Sequence, residues 1–334
     1  MARLGVAVVG VGSMGRRHAE NVRKFPELRL VAVADARPDT ARSVADELGC
    51  PFWTTDPDAA LGHPDCQAAI IATSAGTHAD LIELAAGRRR DVLCEKPITL
   101  SIEDAQRALH AAEAAHIRLQ VGFMRRYDRG YAAAKQAIDA GRIGRPLIFK
   151  AIARDRDPGP PSAPGAPSSG GIFVDSAVHD FDLARWLMAD EVSEVSALTA
   201  SLSDATGPAN DPDTGLVNLR FKRGTAGAVE VYTQARYGYD IRTEVVGSEG
   251  TIQVGQGQDR PFSLLRPDGV TVDFVGGYLE RFAAAYELEL RDWARRMLGD
   301  QPPAVTAEDG IRALAIALAA KQAAATGRRV AVAP

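Results

Sequence analysis

Three residues, Lys96, Asp175 and His179, have the types and settings that proton transfer at an alcohol or carbonyl would need. Lys96 sits in Glu95-Lys96-Pro97, directly after the apolar run Asp91-Val-Leu-Cys94, and the proline stops the strand's ladder there. At the carboxyl end of a parallel strand its ammonium could hydrogen-bond a reacting oxygen and favour a developing alkoxide. Alternatively it simply pairs with Glu95. His179 follows Asp175 by one helical turn. At about 100° per residue, Asp175, His179, Asp182 and Trp186 share one face, and Val174, Ala177, Val178, Phe181, Ala184 and Met188 share the other. The apolar side is then core, and the imidazole is expected on a polar face, where it can accept a proton beside a carboxylate that stabilises its charged form. The same spacing on a plain surface helix would give only a His–Asp pair worth a few tenths of about 1 kcal/mol. No third ligand stands at a spacing that would make these residues a zinc site.

Such groups need a partner that can exchange electrons, and residues 4–35 supply a place for one. Leu4-Gly-Val-Ala-Val-Val9 reads as a strand buried on both faces, and Gly10-Val-Gly12-Ser13-Met14-Gly15 follows at once. Gly10 permits a tight turn, Gly12 lets the backbone approach a pyrophosphate, and Gly15 lets the next helix pack against the strand. The helix starting near Ser13 and Met14 directs free N–H groups and its positive dipole end at phosphates. A second strand ends in Asp35, 20 residues after Gly15, where a carboxylate can accept both ribose hydroxyls of an adenosine. A bare glycine turn could join any strand to any helix. With strand, helix and acid in register, it predicts a dinucleotide site. Asp35 would repel the extra phosphate of NADP, so NAD is favoured, while NADP stays open because Arg37 could stack on adenine, neutralise a 2′-phosphate or stand solvated.

Composition narrows the classes further. The chain of 334 residues exceeds one typical domain, and 46% hydrophobic with 25% charged residues is ordinary for a folded globular protein. A net charge of −4 argues against a nucleic-acid surface, and Arg88-Arg-Arg90 reads as a solvated helix end. No run is long enough to span a bilayer and residues 1–15 do not read as a signal peptide, so a cytoplasmic protein is expected. Cys50, Cys66 and Cys94 are too few and too scattered for a zinc motif or a disulfide set, and no metal is expected.

Helix and strand alternate after Asp35: a helix over 38–48, a short strand at 51–53, a buried strand at 68–72, a helix over 77–86, strands at 91–94 and 119–123, and a helix over 101–115 capped by Ser101. This predicts an α/β fold, a Rossmann doubly wound parallel sheet over 1–123. Thr73 and His78 follow a strand at its carboxyl end and are expected to line a cofactor cleft, or merely to cap the next helix. A second α/β domain over 124–334 should hold a helix over 131–140 and a large open, mainly antiparallel sheet, with strands at 214–221, 226–234 and 241–246. Its uncovered face would suit a partner subunit. Between lies a proline-rich loop at 155–171, a length that is usually functional or mobile. Helices over 279–298 and 306–326 close the chain.

Taken together, Gly10–Gly15, Glu95-Lys96-Pro97, Gly122-Phe-Met-Arg-Arg-Tyr-Asp128, Gly170–His179 and Tyr237-Gly-Tyr-Asp240 resemble the Gfo/Idh/MocA oxidoreductase family, and within it the inositol 2-dehydrogenases. The likeness covers nearly the whole chain. It implies oxidation of a ring hydroxyl of a polyol or sugar with NAD, myo-inositol first among candidates, and a homotetramer assembled through the second-domain sheet. It also implies that His179 takes the hydroxyl proton while Lys96 and Asp175 hold and polarise the system. Glu95 and Lys96 would touch the cofactor, and Arg125 or Tyr127 with Tyr237 or Tyr239 would line the polyol pocket. The proline-rich loop departs from the inositol enzymes and leaves other cyclic polyols, aldoses or anhydrosugars open as substrates. A glycoside-cleaving relative that oxidises transiently would share every motif. A regulator with a dead site is the non-enzyme alternative, and the joint presence of Lys96, Asp175 and His179 argues against it.

Overall fold

The computed structural model describes residues 3–156, 170–202, 212–255, 264–266, 269–271 and 275–333. Two compact units emerge, Met1–Phe123 with Tyr286–Leu314, and Met124–Ala285 with Ala315–Pro334. The division after residue 123 therefore needs one correction: the return segment 286–314 belongs with the first unit. Its apolar residues explain this, because Leu290, Trp293, Ala294 and Met297 are buried in the same cluster as Val6, Val8, Val22 and Leu30.

The first unit is a six-stranded parallel sheet of β1 (Leu4–Val9), β2 (Leu28–Ala34), β3 (Trp53–Thr54), β4 (Ala68–Ile71), β5 (Asp91–Glu95) and β6 (Leu119–Gly122), in the order β3-β2-β1-β4-β5-β6. β1 and β4 are buried at every position, as a strand covered by helices on both faces must be. The helices are α1 (Ser13–Lys24), α2 (Pro38–Leu48), α3 (Pro57–Leu61), α4 (His78–Gly87) and α5 (Ile102–Ala114). Pro38 pre-sets the first turn of α2 and Gly49 ends it in the left-handed region. Ser101 caps α5 as its position predicts, accepting the Asp104 N–H at 3.1 Å. The strand order reverses between β1 and β4, so the loops after these two strands flank the switch point where such sheets take ligands.

The second unit holds α6 (Arg129–Asp139), α7 (Ile172–Asp175) and α8 (Val178–Met188) beside a seven-stranded sheet. Its strands are β7 (Pro146–Arg154), β8 (Val192–Ala200), β9 (Thr214–Phe221), β10 (Ala226–Tyr232), β11 (Asp240–Gly247), β12 (Thr251–Val254) and, beyond a hairpin of β13 (Leu264–Arg266) and β14 (Gly269–Thr271), β15 (Val330–Ala331). The order is β12-β11-β7-β10-β9-β8-β15. All neighbours are antiparallel except β7 and β10, which run parallel because the chain leaves β7 and returns only after α7, α8 and two further strands. Strict alternation along β9, with Gly215, Val217, Leu219 and Phe221 buried, gives the sheet one core face. On the other face Leu198 and its register partner Leu216 are exposed, as is Ile148.

The helix expected over 279–298 is two pieces, α9 (Tyr278–Arg281) and α10 (Ala283–Leu298), and α11 (Ala307–Thr326) follows. Of the proline-rich loop, residues 157–169 lie outside the described residues. Among the described residues no helix is long and apolar enough to cross a membrane, and no cluster of His, Cys, Asp or Glu is placed to hold a metal. Cys66 and Cys94 are buried and Cys50 is partly so, all as free thiols, and burial pushes each of them above the ordinary thiol range.

Candidate active site

On the first unit the glycine turn is held by sterics and by one carboxylate. Gly10 has φ of +82°, and a Cβ on Gly15 would stand 1.7 Å from the Gly10 carbonyl oxygen, so neither position admits a side chain. A Cβ on Gly12 would meet no atom of the described residues within 4 Å. Its bareness is not required by packing here, and it leaves the backbone open to a close-lying group. Gly12 is the N-cap of α1 and offers no side-chain cap, so the first N–H groups of the helix, from Ser13 and Met14 onward, keep their anion-binding capacity.

Asp35 follows the end of β2 and faces this turn. Its Oδ2 accepts the Val11 N–H at 3.0 Å and its Oδ1 accepts the Arg37 N–H at 3.0 Å. Each oxygen has a second lone pair, so the carboxylate can fix the turn and still accept ribose hydroxyls. The Arg37 side chain is largely exposed, with Nε 3.4 Å from Asp35 Oδ1. An uncapped helix start, an unobstructed glycine and a positioned carboxylate together fit a dinucleotide.

Thr73 and His78 stand on the loop and helix after β4. The Thr73 hydroxyl bonds Thr77 at 2.8 Å. The buried His78 ring has Nδ1 3.0 Å from the Pro97 carbonyl oxygen and Nε2 3.2 Å from that of Thr73. Burial lowers its pKa, outweighing those carbonyls, so a neutral ring donates to one and merely abuts the other. His78 thus clamps the loops after β4 and β5 together, with both ring nitrogens turned to main chain rather than outward.

Lys96 lies at the carboxyl end of β5, as its sequence setting predicts, and its bond to Pro97 is cis. The partner of Glu95 is a residue that spacing did not single out. His18 on α1 is fully buried, with Nε2 2.6 Å from Glu95 Oε1, while Glu95 Oε2 accepts the Lys96 N–H at 3.2 Å. Burial pushes the Glu95 carboxyl up, and His18 and Lys96 more than offset it, so it ends below the ordinary carboxylate range. The available signal was a histidine at i+3 from Gly15, on the apolar stripe of α1 with Ala19 and Val22.

On the second unit Asp175 ends α7 and Val178 opens α8, with His179 second in that helix, so Ser176, Ala177 and Val178 lie between the two residues. The polar-face expectation for α8 is corrected: apart from Trp186 every residue of that helix is buried, and His179 is only 7% exposed. The reason lies in two arginines some 55 residues upstream. Arg125 Nη1 donates to Asp180 Oδ1 at 2.8 Å, and Arg126 grips Asp182 with two bonds of 2.8 and 2.5 Å while its guanidinium lies 5.6 Å from the Trp186 ring. Charged positions that a period would assign to solvent are instead neutralised inside.

The same buried group includes two candidates for the polyol pocket. Arg125 and Tyr239 lie side by side, Tyr239 packs edge-on against Phe282 at 6.2 Å, and burial pushes its phenol up. Tyr237 stands apart and is 47% exposed, accepting from Arg154 Nη1 at 3.0 Å and donating to Asp240 Oδ2 at 2.8 Å. Tyr127, on a 3₁₀ turn over Met124–Tyr127, is half-buried.

Residues 4–123 match the family model described as the NAD-binding Rossmann fold of an oxidoreductase family, and residues 135–332 match that family's C-terminal alpha/beta domain. The chain is 39% identical over 316 residues to the scyllo-inositol 2-dehydrogenase (NAD(+)) of Bacillus subtilis, covering 94% of this chain and 92% of that protein. It is 36% identical over 319 residues to the Myo-inositol 2-dehydrogenase of Thermotoga maritima, covering 95% of each. The crystal structure of scyllo-inositol dehydrogenase from Lactobacillus casei with bound NAD(H) and scyllo-inositol superposes with a TM-score of 0.91 at 29% identity, over 99% of this chain and all of that one.

Proposed function

Because the chain belongs to the Gfo/Idh/MocA oxidoreductase family, we propose that it is an NAD-dependent dehydrogenase that oxidises one secondary hydroxyl of a cyclic polyol, with myo-inositol, giving 2-keto-inositol, as the leading substrate. The observation that carries the reaction class is the turn at Gly10–Gly15 with Asp35 against it, which fits a dinucleotide with an unphosphorylated ribose. The substrate class comes from the relatives, among which the two described above bear inositol dehydrogenase names over nearly their full length.

When bound, NAD supplies the two-electron acceptor that takes hydride from the carbinol carbon. The N–H groups opening α1 would hold its pyrophosphate and Asp35 the adenosine ribose. His179 receives the hydroxyl proton, and Asp175, one turn earlier, favours the imidazolium that forms. The Lys96 ammonium hydrogen-bonds the same oxygen as negative charge develops on it. Arg125, Tyr127, Tyr237 and Tyr239 are the candidates for the remaining hydroxyls. The exposed leucines Leu198 and Leu216 on the second-unit sheet support a homotetramer built through that face. Free thiols and a nicotinamide cofactor suit the cytoplasm.

The test is reduced-nicotinamide absorbance with NAD or NADP and a panel of inositol isomers, aldoses and anhydrosugars. NADH from an inositol, with NADP weaker, is the expected result. Signal from another sugar alone moves the substrate within the family. Free sugar released from a glycoside without net NADH replaces the reading by the glycoside-cleaving one.

A further inference from the structure

Behind the Lys96 strand end the first unit buries polar groups to which the proton chemistry gives no role. Two of them connect that strand end to the cofactor cradle. His18 projects from the inner face of α1, the helix whose first turn is the cradle, and its Nε2 meets Glu95 Oε1 at 2.6 Å. The other oxygen of that carboxylate takes the Lys96 main-chain N–H at 3.2 Å. Gly122 on β6 makes room for it, since a Cβ there would stand 3.3 Å from Glu95 Oε2. Tyr286 of α10 closes the His18 ring edge-on, with centroids 6.0 Å apart. A carboxylate this deeply buried depends on its partners rather than on water, and removal of one partner leaves its charge uncompensated.

We infer that His18 is a positioning residue which, through the Glu95 carboxylate, fixes the main chain of Lys96 and so aims its ammonium. One buried hydrogen bond thereby ties the cofactor-bearing helix to the residue that polarises the substrate oxygen. The placement of Lys96 does not depend on the polyol reading; its consequence for turnover rests on that reading, and two measurements keep them apart.

His18→Leu removes the donor at similar volume, and His18→Gln returns an amide N–H near the Nε2 position. Hydrogen exchange of the Lys96 amide, measured by NMR on the full chain without cofactor, should be about tenfold or more faster in His18→Leu and within about threefold of wild type in His18→Gln. In turnover with a substrate deuterated at the carbinol carbon, His18→Leu should lower kcat about tenfold and raise the isotope effect on kcat, with the NAD dissociation constant within about threefold of wild type. His18→Gln should recover most of both. Loss of folded protein lowers the active fraction but does not move an isotope effect. Should the leucine variant not fold, His18→Asn, whose amide reaches only as far as Nδ1, takes its place with the same expected exchange. Unchanged exchange at Lys96, or equal kinetic losses in the glutamine and leucine variants, overturns the inference. A wild-type protein silent on every polyol would instead overturn the oxidation reading, and the exchange comparison would then decide this inference by itself.

Discussion

The two units hold their carboxylates by different means. In the first, carboxylates brace main-chain N–H groups at the ends of strands and turns: Asp35 those of Val11 and Arg37, and Glu95 that of Lys96 while its other oxygen meets His18. In the second, the α8 carboxylates Asp180 and Asp182 are held by Arg125 and Arg126, which arrive from far earlier in the chain. The first arrangement repeats wherever a strand, a glycine turn and a helix repeat. The second is particular to one pairing of segments. The difference teaches that backbone geometry positions the cofactor end, whereas side-chain charge pairing builds the wall around His179.

The strongest way to break the comparison is to remove the candidate catalytic group from each unit. Lys96→Ala and His179→Ala should each lower kcat by about 10²–10⁴-fold with NAD affinity nearly unchanged, measured by steady-state NADH formation and NAD titration. Full activity in both variants would remove the assignment, and loss in only one would confine the chemistry to that unit.

Next in size is the wall itself. Arg125→Met leaves Asp180 buried with its charge unpaired, and such truncations cost about 3–5 kcal/mol. The loss should appear in urea unfolding followed by the fluorescence of Trp186, which belongs to the second unit, while Trp53 and Trp293 belong to the first. A variant as stable as wild type would mean that the Arg125–Asp180 bond is incidental and that the contrast between the units is false.

Glu289 tests the first unit for an exception. It lies on α10, fully buried, and neither carboxyl oxygen has a hydrogen-bond partner among the described residues. Burial, with the Glu95 charge added, pushes its pKa well above the ordinary carboxyl range. Between the ordinary value and that raised one, the folded protein keeps a proton that the unfolded chain has lost, so this group makes stability fall as pH rises, by at most about 1.4 kcal/mol per pH unit. Glu289→Gln cannot lose the proton. Its melting temperature should climb relative to wild type from pH 5 upward, with the gap closing at pH 4. A gap independent of pH would mean that Glu289 is ionised and compensated in the fold.

The contrast also explains what could be read from the chain alone. The parallel sheet, the glycine turn, Asp35 and the setting of Lys96 are local: each follows from an apolar run, a bare backbone or a proline within a few residues. His18 is not legible in this way, because a histidine on an apolar stripe has no periodic signature of the carboxylate it meets. The burial of α8 has no local signature either, because a helical period sorts residues only by polarity, and Asp180, Asp182 and Arg185 count as solvent-facing unless paired with Arg125, Arg126 and Glu191. The return of residues 286–314 to the first unit is equally invisible to local pattern, because the apolar stripe of α10 would serve either core.

The smallest effect sharpens the comparison at the cofactor end. If Asp35 only held the turn, its loss would weaken every dinucleotide alike, because the Val11 and Arg37 N–H groups would lose the same acceptor. If it also receives ribose hydroxyls, its loss should weaken NAD by about tenfold, the scale of hydrogen bonds to a charged group, and should weaken NADP less, because removing the carboxylate also removes its repulsion of a 2′-phosphate. Titration of Asp35→Ala with both cofactors, followed by fluorescence quenching, separates the cases. A fall in the NAD-to-NADP affinity ratio supports the ribose role, and Arg37, freed of its 3.4 Å contact with Asp35, then becomes the residue that can meet the phosphate. An unchanged ratio limits Asp35 to holding the turn and moves the choice of cofactor elsewhere on the first unit.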